Sequence, residues 1–185
     1  MKINAAVLEE LGKPLLLKSI DTAPLLPGQV LIKILYSGVC RSQLMEVKGK
    51  RGSDNWLPHL LGHEGSGIVQ AIGQGVKKIE VGDEVIVGWV KGDGMEAPGA
   101  KYKYDNQIIN SGCVTTFSNY SIISENRLVR KPTSLPFDIA VLFGCALPTG
   151  AGMVLNELKP SSDLSIIVLG LGGIGLSALM ALKAL

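Results

Sequence analysis

The side chains best able to hold a metal are few: three cysteines, Cys40, Cys113 and Cys145, and two histidines, His59 and His63. His63 lies in Gly62-His63-Glu64, within the stretch Leu60-Leu-Gly-His-Glu-Gly-Ser-Gly-Ile-Val69. A histidine followed by a carboxylate and fenced by glycines suits a metal ligand pressed against backbone, because glycine lets the chain approach where a Cβ would clash. Taken alone, such a histidine is more often a satisfied structural residue, so its meaning depends on its partners. Cys40 precedes Arg41 to Lys48, a segment compatible with one or two helical turns. At a helix start the positive dipole end favours the metal-binding thiolate. Cys40, His63 and a later cysteine make a sufficient donor set. His59, following Pro58 in an extended segment, is read as loop-facing and not a ligand.

The elements that must position these residues are mostly strands. Ile3 to Leu8, Leu15 to Ile20 and Val30 to Tyr36 are short apolar segments punctuated by Pro24, Pro27 and Gly28. Glu64 to Ile72 and Asp83 to Val87 continue the pattern, as do Thr115 to Ile123 and Asn126 to Val129. Gly88 to Gly112 reads as an excursion without a motif. From Ser134 the texture turns helical, with Ile139 to Asn156 broken near Gly144-Cys145 and Pro148. Leu164 to Leu169 is predicted to be a short buried strand running into Gly170-Leu-Gly-Gly-Ile-Gly175 and a helix to Leu185. Leu164 to Leu182 carries no charge, but its glycines and its change from β-branched to Leu/Ala/Met residues favour strand, turn and helix over a membrane span.

Composition narrows the class. With 46% hydrophobic and 18% charged residues and 23 glycines among 185, the chain is folded and turn-rich. A net charge of +2 without a basic cluster argues against nucleic acid as a partner; Lys101-Tyr-Lys-Tyr104 reads as a solvated strand face. The odd cysteine count, and an N-terminal segment that reaches Glu9-Glu10 before an apolar core can build, predict free or metal-bound thiols and a cytoplasmic location.

Three motifs in order resemble the zinc-containing medium-chain alcohol dehydrogenases: Gly38-Val-Cys40-Arg-Ser42, then Gly62-His63-Glu64-x-x-Gly67-x5-Gly73-x-x-Val76, then Gly144-Cys145-x-x-x-Thr149-Gly150. The Gly-x-Gly-x-x-Gly loop follows them, and the resemblance covers essentially the whole chain. It implies a mainly β, GroES-like, partly open barrel with flanking helices over residues 1–147. The first βα unit of an α/β Rossmann domain, incomplete here, then occupies residues 148–185. It further implies one catalytic Zn²⁺ on Cys40, His63 and Cys145, NAD or NADP as hydride carrier, a small alcohol or aldehyde substrate, and a dimer or tetramer in the full-length form. Two thiolates and one imidazole nearly neutralise Zn²⁺ and leave a fourth position for a substrate oxygen.

By the same resemblance Ser42 hydrogen-bonds the substrate oxygen and begins proton removal, and Glu64 stands close behind the metal. Arg41 meets the cofactor pyrophosphate, Thr149 and Ile174 line the nicotinamide, and Gly170, Gly172, Gly173 and Gly175 form the phosphate loop. The chain also departs from the pattern. Gln43 stands where many relatives carry an aspartate that orients the zinc histidine, so a charge is missing there. Leu44 and Met45 replace a relay histidine. Cys113 is the only cysteine between Val87 and Val114, too few for a four-cysteine structural zinc, and is read as buried or inert. Because the chain stops one helix after the glycine loop, the resemblance implies an incomplete cofactor site, an N-terminal fragment inactive alone and an exposed apolar face. The alternative readings are a zinc-independent quinone or enone reductase of the same superfamily, and a non-catalytic binding or assembly module.

Overall fold

Alternating apolar residues and closely spaced turns build two antiparallel sheets. The computed structural model describes residues 1–185. Its strands are β1 (Lys2–Leu8), β2 (Leu16–Thr22), β3 (Gln29–Ser37), β4 (His59–Leu60), β5 (Gly65–Ile72), β6 (Glu84–Val87), β7 (Tyr102–Tyr104), β8 (Gln107–Ile109), β9 (Tyr120–Ser124) and β10 (Leu128–Arg130). The helices are α1 (Arg41–Val47), α2 (Phe137–Ala140), α3 (Ala146–Gly152) and α4 (Gly173–Ala184). One sheet runs β4-β1-β2-β7-β8 and the other β10-β6-β5-β3-β9. The chain before β9 stitches them together, with an Ala5–Ser118 bridge and a hydrogen bond from Ala6 N to Phe117 O. Each sheet turns its inward residues onto a core, one around Ile3, Val7, Ile20 and Tyr102, the other around Val30, Ile32, Val69 and Val87. The result is a partly open, barrel-like β domain flanked by helices.

The expected strands form, with ends moved by a residue or two, except at Leu164 to Leu169 and at Thr115 to Asn119, which is irregular apart from the Ser118 bridge and leads into β9. The segment read as a motif-free excursion contains a hairpin, β7 to β8. Its two-residue turn places Asp105 at φ +51°, a conformation that Asp tolerates better than most residues. Within it Tyr102 is fully buried and its hydroxyl accepts the Ile122 N–H at 3.0 Å, so Lys101 and Lys103 match the solvated face expected there and Tyr102 does not.

The helical stretch breaks at Cys145, whose φ −149° and ψ −61° separate a 3₁₀ turn at Val141–Gly144 from α3. Pro148 does not break α3, because it lies in the first turn, where its missing N–H has no intrahelical partner to lose. The predicted strand at Leu164 to Leu169 carries no ladder hydrogen bonds. A strand is made by pairing, and neither sheet extends to this segment. Its side chains are exposed, Ile167 at 84% and Leu169 at 92%. Helix α4 docks on α3 through small residues: a Cβ on Gly150 would stand 2.7 Å from the Cβ of Ser177. No single helix is long and apolar enough to cross a membrane.

Candidate metal centre

Strand register brings the donor segments together. The end of β3 pairs with the start of β5 at Ser37–Gly65, and the end of β6 pairs there too at Val87–Gly65. The residues just outside these pairs, Cys40 after β3, His63 before β5 and Trp89 after β6, therefore emerge at one end of one sheet. The turn at Val141–Gly144 closes over that end, with Trp89 N donating to Gly144 O at 3.1 Å. Cys145 follows directly.

Glu64 is the point where the three segments touch. A Cβ on Gly38 would lie 2.6 Å from its carboxyl carbon, and one on Gly144 would lie 2.7 Å from its Cβ. Glycine is required at both positions by space alone. At Gly62 it is required by backbone as well, because φ is +94° and a Cβ would stand 2.8 Å from Thr116 N. The close packing expected around His63 is therefore present.

The ligand atoms of Cys40, His63 and Cys145 all lie within 4.8 Å of one another, and each residue is half-buried. Nε2 of His63 is 3.2 Å from Cys145 Sγ, while Nδ1 is 2.9 Å from Gln43 Nε2. Gln43 is buried, and its Oε1 accepts the Cys40 N–H at 3.0 Å across the first turn of α1. Burial pulls the His63 pKa below its ordinary value, with Arg51 adding to the effect, so the ring is biased to the neutral, metal-binding form. Burial raises the Cys145 thiol pKa, reinforced by Glu64 and Cys40. Burial likewise raises the Glu64 carboxyl pKa, against the opposing Ala146 and Cys145 amides. Two thiols and an imidazole with their donor atoms this close fit Zn²⁺, a soft-to-borderline cation that neutralises the negative charge they would otherwise accumulate.

A cavity of about 610 Å³ opens on the trio and is also lined by Ser42, Trp89, Thr149 and Ile174. Thr149 donates its hydroxyl to Cys145 O at 2.6 Å. A second cavity, of about 630 Å³, lies behind Cys145 and holds Arg41, Glu64, Gly170, Gly172, Gly173 and Gly175. Gly172 caps α4, and nothing lies within 4 Å of where its Cβ or that of Gly170 would be.

Two residues stand elsewhere than the sequence suggested. His59 is not loop-facing: it is buried on β4, with Nε2 2.8 Å from Asp54 Oδ2 and Nδ1 2.9 Å from Leu60 O. It stays outside the donor trio and pairs instead with Asp54 and Glu46 on the wall of the first cavity. Cys113 is exposed and lines that same cavity. The sequence also gave no sign of Trp89, whose ring packs edge-on to His63 at 6.0 Å between centroids; its carbonyl accepts a hydrogen bond from Arg127. Its one legible signal is position, two residues after the end of an apolar strand.

Residues 26–133 match the alcohol dehydrogenase GroES-like domain family. The S-(hydroxymethyl)glutathione dehydrogenase of Synechocystis sp. is 34% identical over 209 aligned positions, covering 99% of this chain. That of Escherichia coli is 33% identical with the same coverage. The chain spans 56% of the length of each. The crystal structure of benzyl alcohol dehydrogenase from Acinetobacter calcoaceticus is 28% identical, with a TM-score of 0.83, matching 100% of this chain and 56% of that one. The glycine-packed donor trio and a domain match over more than half the residues agree, and the chain belongs to the zinc-type medium-chain alcohol dehydrogenase family, of which it carries the GroES-like domain.

Proposed function

We propose that this chain forms the metal-holding and substrate-holding part of an oxidoreductase that interconverts an alcohol with an aldehyde or ketone, using NAD or NADP. The observation that carries the reading is the convergence of Cys40, His63 and Cys145 on a cavity that Ser42 also lines. A zinc ion held by the trio would supply Lewis acidity toward a substrate oxygen, and a nicotinamide would carry the hydride.

The remaining work falls to side chains. The Ser42 hydroxyl, able both to donate and to accept, holds the substrate O–H and relays its proton during oxidation, passing its own hydrogen on to solvent in the cavity. Trp89, edge-on to His63, forms an apolar wall that fixes the carbon skeleton and excludes water. Arg41 lines the second cavity together with the glycine loop, and a guanidinium and the N-terminus of α4 suit a pyrophosphate. Thr149 and Ile174, which line the first cavity, border the nicotinamide. Glu64, buried against all three donor segments, keeps them in register behind the metal. The three free thiols suit a reducing cytoplasm.

Metal analysis tests the reading directly. One zinc per chain is expected, and Cys40→Ser or Cys145→Ser should abolish it. Alcohol oxidation by the full-length protein should then depend on that zinc, and activity surviving complete metal removal would refute the proposal.

A further inference from the structure

Gln43 is wedged between two groups of the metal centre and cannot serve both once a metal is bound. Its Oε1 accepts the Cys40 N–H at 3.0 Å and its Nε2 lies 2.9 Å from His63 Nδ1. The amide is buried, so water does not readily substitute for either partner. His63 turns its other nitrogen, Nε2, toward the thiols, 3.2 Å from Cys145 Sγ, which makes Nε2 the ligand atom. A neutral imidazole that gives Nε2 to a metal carries its proton on Nδ1. Nδ1–H is then a donor, and the Cys40 N–H is always one.

A carboxamide has one accepting end and one donating end. Turned either way, it satisfies one of these donors and sets its own NH₂ against the other. Without a metal no conflict exists: the ring protonates on Nε2, facing Cys145, and Nδ1 accepts from the Gln43 NH₂. Loading therefore replaces a matched set of buried hydrogen bonds with a mismatched one. A carboxylate of the same length would accept from both donors at once.

We propose that Gln43 is a positioning residue that opposes metal loading, holding metal-free His63 in the Nε2–H tautomer and leaving the Cys40–His63–Cys145 centre weaker and more exchangeable than its ligands alone would make it. The inference rests on the zinc reading above. The isosteric substitution Gln43→Glu should tighten zinc by about 10- to 100-fold, the range over which groups behind a metal ligand act. A chromophoric chelator in competition reads this at fixed pH. Unchanged or weakened affinity in Gln43→Glu overturns the inference.

A second measurement needs no variant. The ¹⁵N shifts of the His63 ring in the metal-free wild type should report Nε2–H, switching to Nδ1–H when zinc is added; Nδ1–H before zinc overturns the inference too. The outcomes separate the two readings. If the wild type binds zinc and Gln43→Glu binds it equally, only this inference fails. If neither protein binds zinc, both fail. Zinc uptake by Gln43→Glu alone supports this inference and refutes the zinc reading of the wild type.

Discussion

Glu64 and its two facing glycines carry more of the site than the ligands' own spacing does. Gly144→Ala would drive a Cβ against Glu64 and the Val87 carbonyl. We expect it to cost about 1–3 kcal/mol in urea unfolding, the range for overpacking a tight contact, and to lose zinc at the same time. Gly172→Ala, with open space around it, should leave stability within about 0.5 kcal/mol, as surface changes do. Glu125 is a second residue with a concentrated role. Its carboxylate is buried and accepts three amides, Lys77 and Lys78 at 2.6 and 2.5 Å and Met95 at 2.6 Å, fastening two loops to the barrel. Burial alone would raise its pKa, but the amides outweigh it and the value falls below normal. A depressed native pKa means that the unfolded chain binds the proton more readily. Glu125 therefore contributes stability above the ordinary carboxylate range that is lost as pH falls through its lowered native value. Glu125→Gln should cost about 1–3 kcal/mol at pH 7, by setting an NH₂ against one amide donor, and should flatten the acid limb of a stability–pH curve.

Among the elements, the segment between α1 and β4 owes its course to polar contacts rather than to apolar burial. Asp54 accepts the Trp56 N–H at 2.8 Å and meets His59 Nε2 at 2.8 Å, while Asn110 Nδ2 donates to Trp56 O at 2.7 Å. Burial opposes the Asp54 charge, yet the Trp56 amide and His59 keep its pKa below normal, so this contribution too is lost in acid. Asp54→Ala should leave Nε2 of the buried His59 without its hydrogen-bond partner, Glu46 Oε1 standing 3.8 Å away, costing about 1–3 kcal/mol. Faster amide exchange at Trp56 with unchanged exchange in β3 and β5 would show that the loosening is local; no change at Trp56 would refute this role for Asp54. The same contacts hold His59 away from the loop position that its sequence suggests. Pro58 and the polar residues before it signal a loop, but the β1–β4 pairing at Leu8–His59 buries the ring, and pairing between distant strands leaves no local trace.

At the scale of the whole molecule, the apolar side chains of Leu164 to Leu171 are uncovered while α4 is anchored on α3. This 185-residue chain should therefore associate or bind a hydrophobic dye, and Ile167→Lys with Leu169→Glu should reduce both without changing zinc content. Association unchanged by that double substitution would place the sticky surface elsewhere. Metal and fold are also linked: zinc at about 100 times its dissociation constant should stabilise the protein by about 2.7 kcal/mol, visible as a raised melting temperature that EDTA reverses and Cys40→Ser lacks.

The sequence by itself determined the β architecture, the family and the order of the donor segments, because alternating apolar residues, turn glycines and a His-Glu pair among glycines are local patterns. It also placed the helix break at Cys145, where backbone geometry changes within one residue. Only the tertiary structure decided which groups meet. Trp89 beside His63, the Asp54–His59 pair, the clasp of Gly38 and Gly144 on Glu64, and the position of Gln43 between two donors all follow from strand register and chain packing. Leu164 to Leu169 shows the converse. Its β-branched composition is that of a strand, but a strand exists only through hydrogen bonds to a neighbour, and neither sheet supplies one.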